Sequence, residues 1–212
     1  SCAASKRFPH RKRSAASAIC RGWTPRQRQV NERLPPASAA HLHPTHRFYR
    51  SAAIMKALKS SAPLGTVDAA KDAAKDTAFR TTTYRVSTDA GVFDLRIDQR
   101  HTAFAAFLKN RGVSRWAIVT ACNPAAQRHT PADNARRQQC LLAHVQAAGW
   151  RLGQDCFHAR NCADGGDWPD EPGLLLLGID AARARALAHA FGQLACVYGE
   201  ADGVPLLLWT AE

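Results

Sequence analysis

Acidic residues are almost missing from the first quarter of this 212-residue chain. Residues 1–54 hold 11 Lys/Arg against a single acid, Glu32, a balance of +10. Residues 55–212 hold 18 Lys/Arg against 16 Asp/Glu, a balance of +2 that completes the overall +12. The basic character is therefore local, and a nucleic-acid footprint is not expected of the remainder. No apolar run reaches the 18 residues that a membrane-spanning helix needs. None of the seven cysteines forms C-x-x-C, their number is odd, and no apolar signal-peptide stretch precedes them. Free thiols in a reducing, cytoplasmic setting are expected, not a disulfide framework or a common zinc motif. No Gly-rich phosphate loop and no internal repeat occur. Methionine appears once, at Met55.

What is present divides at that methionine. Residues 1–54 are rich in Arg, Ala, Ser, Pro and His, with too little clustered apolar surface to offset chain entropy, so disorder is expected. Three readings fit: an organelle transit peptide, a nucleic-acid-binding tail, or sequence upstream of a true start at Met55. The composition break at the only methionine favours the third. Residues 55–80 contain Asp68-Ala-Ala-Lys-Asp-Ala-Ala-Lys-Asp76, helix-prone with acid–base spacings of three and four, and read as a solvated lead-in.

A single globular domain is expected over residues 81–210. Thr82–Val86 and Val92–Ile97 alternate with period two about Asp89-Ala90-Gly91, the pattern of a β-hairpin. Asp98 is placed to cap a helix carrying Phe104, Phe107 and Leu108 on one face, ended by Gly112. Residues 116–122 are apolar on both faces, as in a central strand. Thr130-Pro131-Ala132-Asp133 opens a second helix with an N-cap, Pro at N1 and an acid at N3, and Gly149 closes it. A weak strand is read near Trp150–Leu152, then a long polar loop over 153–172. Leu174–Ile179 is a second buried strand. Asp180 caps a helix stopped by Gly192, and a hairpin turning at Asp202-Gly203 follows, its Pro205 marking an edge strand. The fold class is α/β (α+β): one mixed sheet with helices on its faces, in the order ββαβα(β)βαββ.

Several of these residues together resemble a family. Thr120-Ala121-Cys122-Asn123-Pro124, then Asn134 and Arg137, then Trp168-Pro169-Asp170-Glu171-Pro172, then Phe191-Gly192-Gln193, are similar to the bacterial "domain of unknown function 3293". The resemblance spans about residues 80–210. Gly173 stands where a small polar residue usually follows that Trp-to-Pro segment. The resemblance implies a bacterial cytosolic protein shorter than this chain. It implies no known activity.

Two constellations carry the functional expectation. Asn123, Gln127, Arg128 and His129 sit between a central strand and a capped helix, where free N–H groups and the helix dipole favour an anion. In this reading Asn123, Asn134 and Gln193 recognise a small polar, phosphorylated or nucleotide-like ligand, while Arg128 and Arg137 hold its anionic part. In the second, Trp168 walls the site and Glu171, its backbone extended by Pro172, is the general acid or base. Two further candidates are weaker: Cys122 with His129 as nucleophile and base, and Cys156, His158, Cys162 and Asp164 as metal ligands, whose spacing matches no common site. No cofactor, metal or oligomeric state is indicated. The rival reading is a non-catalytic interaction or structural module whose motif residues only lock loops. A pocket lined by Asn123, Trp168, Glu171 and Gln193 would separate the two.

Overall fold

A computed structural model describes residues 66–210. The basic segment 1–54 and the expected start at Met55 lie outside the described residues.

The chain runs α1 (Thr66–Arg80), β1 (Thr82–Thr88), β2 (Gly91–Leu95), α2 (Thr102–Asn110), β3 (Arg115–Thr120), a single 3-10 turn (Pro124–Ala126), α3 (Pro131–Ala147), β4 (Cys156–Ala163), β5 (Glu171–Leu177), α4 (Ala181–Ala190), β6 (Ala195–Glu200) and β7 (Pro205–Trp209). The strands form one seven-stranded sheet in the order β2-β1-β4-β5-β3-β6-β7. The α/β (α+β) class therefore holds. All six strand pairings are antiparallel, including that of the two most apolar strands, β3 and β5. Their double-faced burial comes instead from helices on both sides of the sheet.

Alternation along each strand sends residues to two cores. On one face Ala117, Val119, Leu174, Leu176, Cys196 and Tyr198 pack with Leu141 and Val145 of α3 and Ala184 and Leu187 of α4. On the other, Tyr84, Val86, Trp116, Ile118, Phe157, Leu175 and Leu177 pack with Phe104, Phe107 and Leu108 of α2. Phe79, at the end of α1, meets Trp209 edge-on with ring centroids 5.7 Å apart.

Most punctuation behaves as read. Thr130 caps α3 through Asp133, Asp180 caps α4, and Pro205 opens the edge strand β7. Three expectations are corrected. His101, not Asp98, caps α2, its Nδ1 accepting from the Phe104 N–H at 3.1 Å; Asp98 instead adopts φ 61° and pairs with Arg80. The long loop of 153–172 holds β4, hydrogen-bonded on both sides to β1 and β5. Its signal is only an alternation of Phe157 and Ala159 with polar neighbours. The weak strand near 150–152 reduces to one bridge between Leu152 and Cys156.

Candidate functional site

Pro124 has no N–H to donate, so β3 cannot continue through it. The chain turns sharply instead. Asn123 (φ 44°), Ala125 (φ 55°) and Ala126 (φ 56°) all take left-handed backbone, a cluster that costs energy outside glycine and is held only by its surroundings.

Those surroundings are a dense polar lattice. Asn123 is 3% exposed. Its Oδ1 accepts from the His129 N–H and from Asn134 Nδ2, each at 2.9 Å, and its own N–H donates to Asn134 Oδ1 at 2.9 Å. Its Nδ2 donates to Glu171 Oε1 at 2.7 Å, and Trp168 Nε1 donates to the same oxygen at 3.0 Å. Gln193 Nε2 donates to the Cys122 carbonyl at 2.8 Å, and the Ala125 N–H to the Gly192 carbonyl at 2.8 Å. Gly192 is needed here: at φ +75°, a Cβ would lie 2.9 Å from that of Pro124. Three regions far apart in sequence, residues 122–134, 168–171 and 192–193, thus interlock at the end of β3.

A cavity of about 660 Å³ adjoins this lattice. Asn123, Trp168, Glu171 and Gln193 all line it, joined by Phe79 from α1 and by Tyr84, Asn161 and Arg96. The cavity lies on the α2 face of the sheet, because Tyr84, Asn161 and Glu171 are direct cross-strand partners over β1, β4 and β5. Glu171 is the first residue of β5, not a residue of the loop before it. Its side chain is therefore set by strand geometry.

Burial raises the pKa of Glu171 above the usual carboxylate value, partly opposed by the donors Asn123 and Trp168. Burial first, and then the Glu171 charge, raise that of the Tyr84 phenol. The Tyr84 hydroxyl donates to the Phe79 carbonyl at 3.0 Å, tying α1 to the sheet.

The other sequence candidates stand around this centre. Asn134 braces Asn123 from α3 and does not line the cavity. Arg128 pairs with Asp167 at 2.7 Å and lies 5.3 Å from the centre of the Trp168 ring. Arg137 is near enough for its charge to act on the Cys122 thiol. Neither arginine is among the cavity-lining residues. Cys122 is no activated nucleophile: burial pushes its thiol up to about 11, and the sulfur faces the Asn134 and Pro172 carbonyls. Among the described residues no group of three His, Cys, Asp or Glu is placed to hold a metal ion. Tyr84, Asn161 and Arg96 were not found from sequence, and Asp164, which lines the cavity beside Arg96, was read only as a metal-ligand candidate. Arg96 and Asp164 pair at 2.5 Å, and Thr83 donates to Asp164 at 2.7 Å. The available signal was the strand register, which was invisible while β4 was read as loop.

Residues 119–196 match the model of the family described as "Protein of unknown function (DUF3293)". The match to DUF3293 begins within β3 and ends within β6, so it contains Asn123, Asn134, Trp168, Glu171 and Gln193 and the lattice that joins them. It is narrower than the span of about 80–210 suggested by the residues: β1, β2 and β7 lie outside it. No curated protein and no solved structure matches the chain. Among the described residues, no helix is long and apolar enough to cross a membrane.

Proposed function

We propose that residues 81–210 form a small-molecule-binding domain whose polar ligand occupies the cavity beside Glu171, with that carboxylate as its proton acceptor or donor. One observation carries this reading. Both bonds that fix Glu171 fall on Oε1, so the carboxylate is rigidly aimed while Oε2 takes no protein donor among the described residues. A carboxyl group so placed, with its acid form favoured by burial, suits proton transfer near neutral pH. The left-handed turn at Asn123–Ala126 supports the reading, because strain of this kind persists where the surroundings over-determine it, often at ligand sites. A volume of this size is ordinary for a small-molecule site.

Within this proposal the roles of the motif residues differ. Asn123 positions Glu171, since its amide is spent on protein partners. Asn134 braces Asn123, and Gln193 locks the β3 turn to the end of α4. Trp168 is both wall and donor. Arg128 and Arg137 would act on an anion only from outside the cavity. This is also the observation that favours the rival reading, a structural module in which these bonds merely hold loops.

The family resemblance supports a bacterial, cytoplasmic protein. The near-neutral charge of residues 55–212 supports a partner other than nucleic acid.

The test is a thermal-shift screen of the full chain and of Glu171→Gln against a panel of polar metabolites. A compound that raises Tm in the parent, and much less in the variant, supports the proposal. A panel with no such compound, and a variant altered only in baseline stability, would favour the structural module.

A further inference from the structure

Most polar groups around the cavity are satisfied within the protein. Asn123 Nδ2 and Trp168 Nε1 donate to Glu171 Oε1, and Gln193 Nε2 donates to the Cys122 carbonyl. The hydroxyls of Thr81, Thr82 and Tyr84 donate to carbonyls in the last turn of α1. Arg96 is paired with Asp164, and Lys75 brings a second cation from α1. With Glu171 ionised, the lining therefore carries two positive and two negative groups. A ligand with a net charge would upset that balance inside a largely apolar enclosure, so a neutral one is favoured.

Two open groups remain, and they are neighbours. Asn161 and Glu171 face each other across the β4–β5 pair, and directly opposed side chains on one sheet face sit about 5 Å apart at Cβ. Glu171 Oε2 receives no donor from the described residues. Asn161 turns its Oδ1 inward, where it is buried without a partner. What Asn161 offers the cavity is its amide nitrogen, which donates to none of the described residues. The open pair is thus one acceptor beside one donor. Gln193 Oε1 is the other amide oxygen left open, but it belongs to the turn after α4 and not to this row. Aromatic rings of Phe79, Tyr84 and Trp168 line the same space, and such walls favour a ligand with a flat face.

We infer that the cavity takes a neutral flat ring with an amide-type edge, one N–H donor beside one carbonyl or ring-nitrogen acceptor, the donor meeting Glu171 Oε2 and the acceptor meeting Asn161 Nδ2. The inference rests on the reading of the cavity as a ligand site and adds its chemical class. Aromatic carboxamides and aminoazine bases both carry this edge. The N–H bond to the carboxylate is charge-assisted and supplies most of the hold. Asn161 sets the selectivity. An edge with two acceptors meets Glu171 oxygen to oxygen. An edge with two donors meets the Asn161 amide N–H to N–H. Either mismatch leaves polar groups unpaired in the cavity and is rejected for that reason.

One ring with four edges tests this, with binding to the full chain read by saturation-transfer NMR and competition. Benzamide carries donor and acceptor, acetophenone the acceptor alone, benzoate two acceptors and benzamidine two donors. Benzamide is expected to bind most tightly, acetophenone and benzamidine about tenfold more weakly or worse, and benzoate not measurably. Asn161→Leu, which also removes the buried orphan oxygen, should fold at least as stably as the parent, weaken benzamide about tenfold and leave benzamidine no weaker. Adenosine distinguishes the two sources of the edge: it outcompetes benzamide if the natural ligand is a nucleobase and is excluded if it is a carboxamide. Benzoate or benzamidine binding as tightly as benzamide overturns the inference, as does benzamide affinity unaltered by Asn161→Leu. Should that variant not fold, the four edges on the parent decide alone. If none of the four binds but another metabolite raises Tm in a Glu171-dependent way, the ligand class is wrong and the site reading stands. If no compound of either kind binds, both fall.

Discussion

Asn123 reaches across 48 residues of sequence to donate its side-chain N–H to Glu171 at 2.7 Å. That bond joins the turn after β3 to the first residue of β5, and it decides which way the only carboxylate in the lattice points.

Replacing the donor by an acceptor of the same shape should expose its contribution. Asn123→Asp sets two carboxyl groups against each other and is expected to cost about 2–4 kcal/mol at neutral pH. Much of that loss should return on acidification, when the pair shares a proton. Urea unfolding at pH 7 and pH 4.5 measures both. An equal loss at the two pH values would show that the bond is not electrostatic in origin.

Glu171 itself makes a signed prediction. Its pKa is raised above the usual 4.5, chiefly by burial. The folded state therefore holds the proton more tightly, and the group contributes stability at low pH that is lost as pH rises through the raised value. Glu171→Gln keeps an oxygen for Asn123 and Trp168 but cannot ionise. Relative to the parent, the variant should gain stability as pH rises from the usual carboxylate value to the raised one, and level off above it. A difference that stays flat over this range would contradict the burial argument.

His144 works in the opposite sense. It is 4% exposed, packs edge-on against Phe191, and is pushed down to about 4 by burial. A depressed pKa contributes stability above the unfolded value near 6.5 and loses it as pH falls toward 4, by about 3 kcal/mol in all. His144→Leu should remove this acid limb, leaving a shallower decline between pH 6.5 and pH 4. Chemical denaturation of both proteins across that window reads the difference. Parallel curves would rule out His144 as its source.

The strained turn predicts a pair of opposite substitutions. Ala125→Gly relieves a left-handed alanine and should stabilise by about 1 kcal/mol. Gly192→Ala adds a Cβ 2.9 Å from that of Pro124 at a φ of +75° and should destabilise by about 1–3 kcal/mol. Thermal melts of the two variants should move to opposite sides of the parent. Movement in the same direction would mean that the backbone there relaxes freely.

The architecture was readable wherever one residue's chemistry dictates a local outcome. The unbroken apolar runs of β3 and β5 required cover on both faces. Thr130 and Asp180 required helices after them, and Pro205 required an edge. That Asn123, Trp168, Glu171 and Gln193 line one cavity matches the shared hollow expected of the motif residues. Non-local facts were hidden. β4 looks like loop because Phe157 is its one large apolar side chain, and its identity as a strand comes from β1 and β5 on either side. Without that strand, Tyr84, Asn161 and Glu171 have no reason to share a row. The cap of α2 was misjudged because Asp98 and His101 both offer an acceptor near its start, and the backbone at Asp98 turns left-handed.

The cavity's walls are drawn from α1, β1, β4, β5 and the turn after α4. Segments so widely spaced meet only after long chain closures, which are slow and come late. The hollow is thus a property of the finished sheet and of no fragment of it. A compound lodged there would recognise completed molecules alone, drawing partly folded chains toward the native form by mass action.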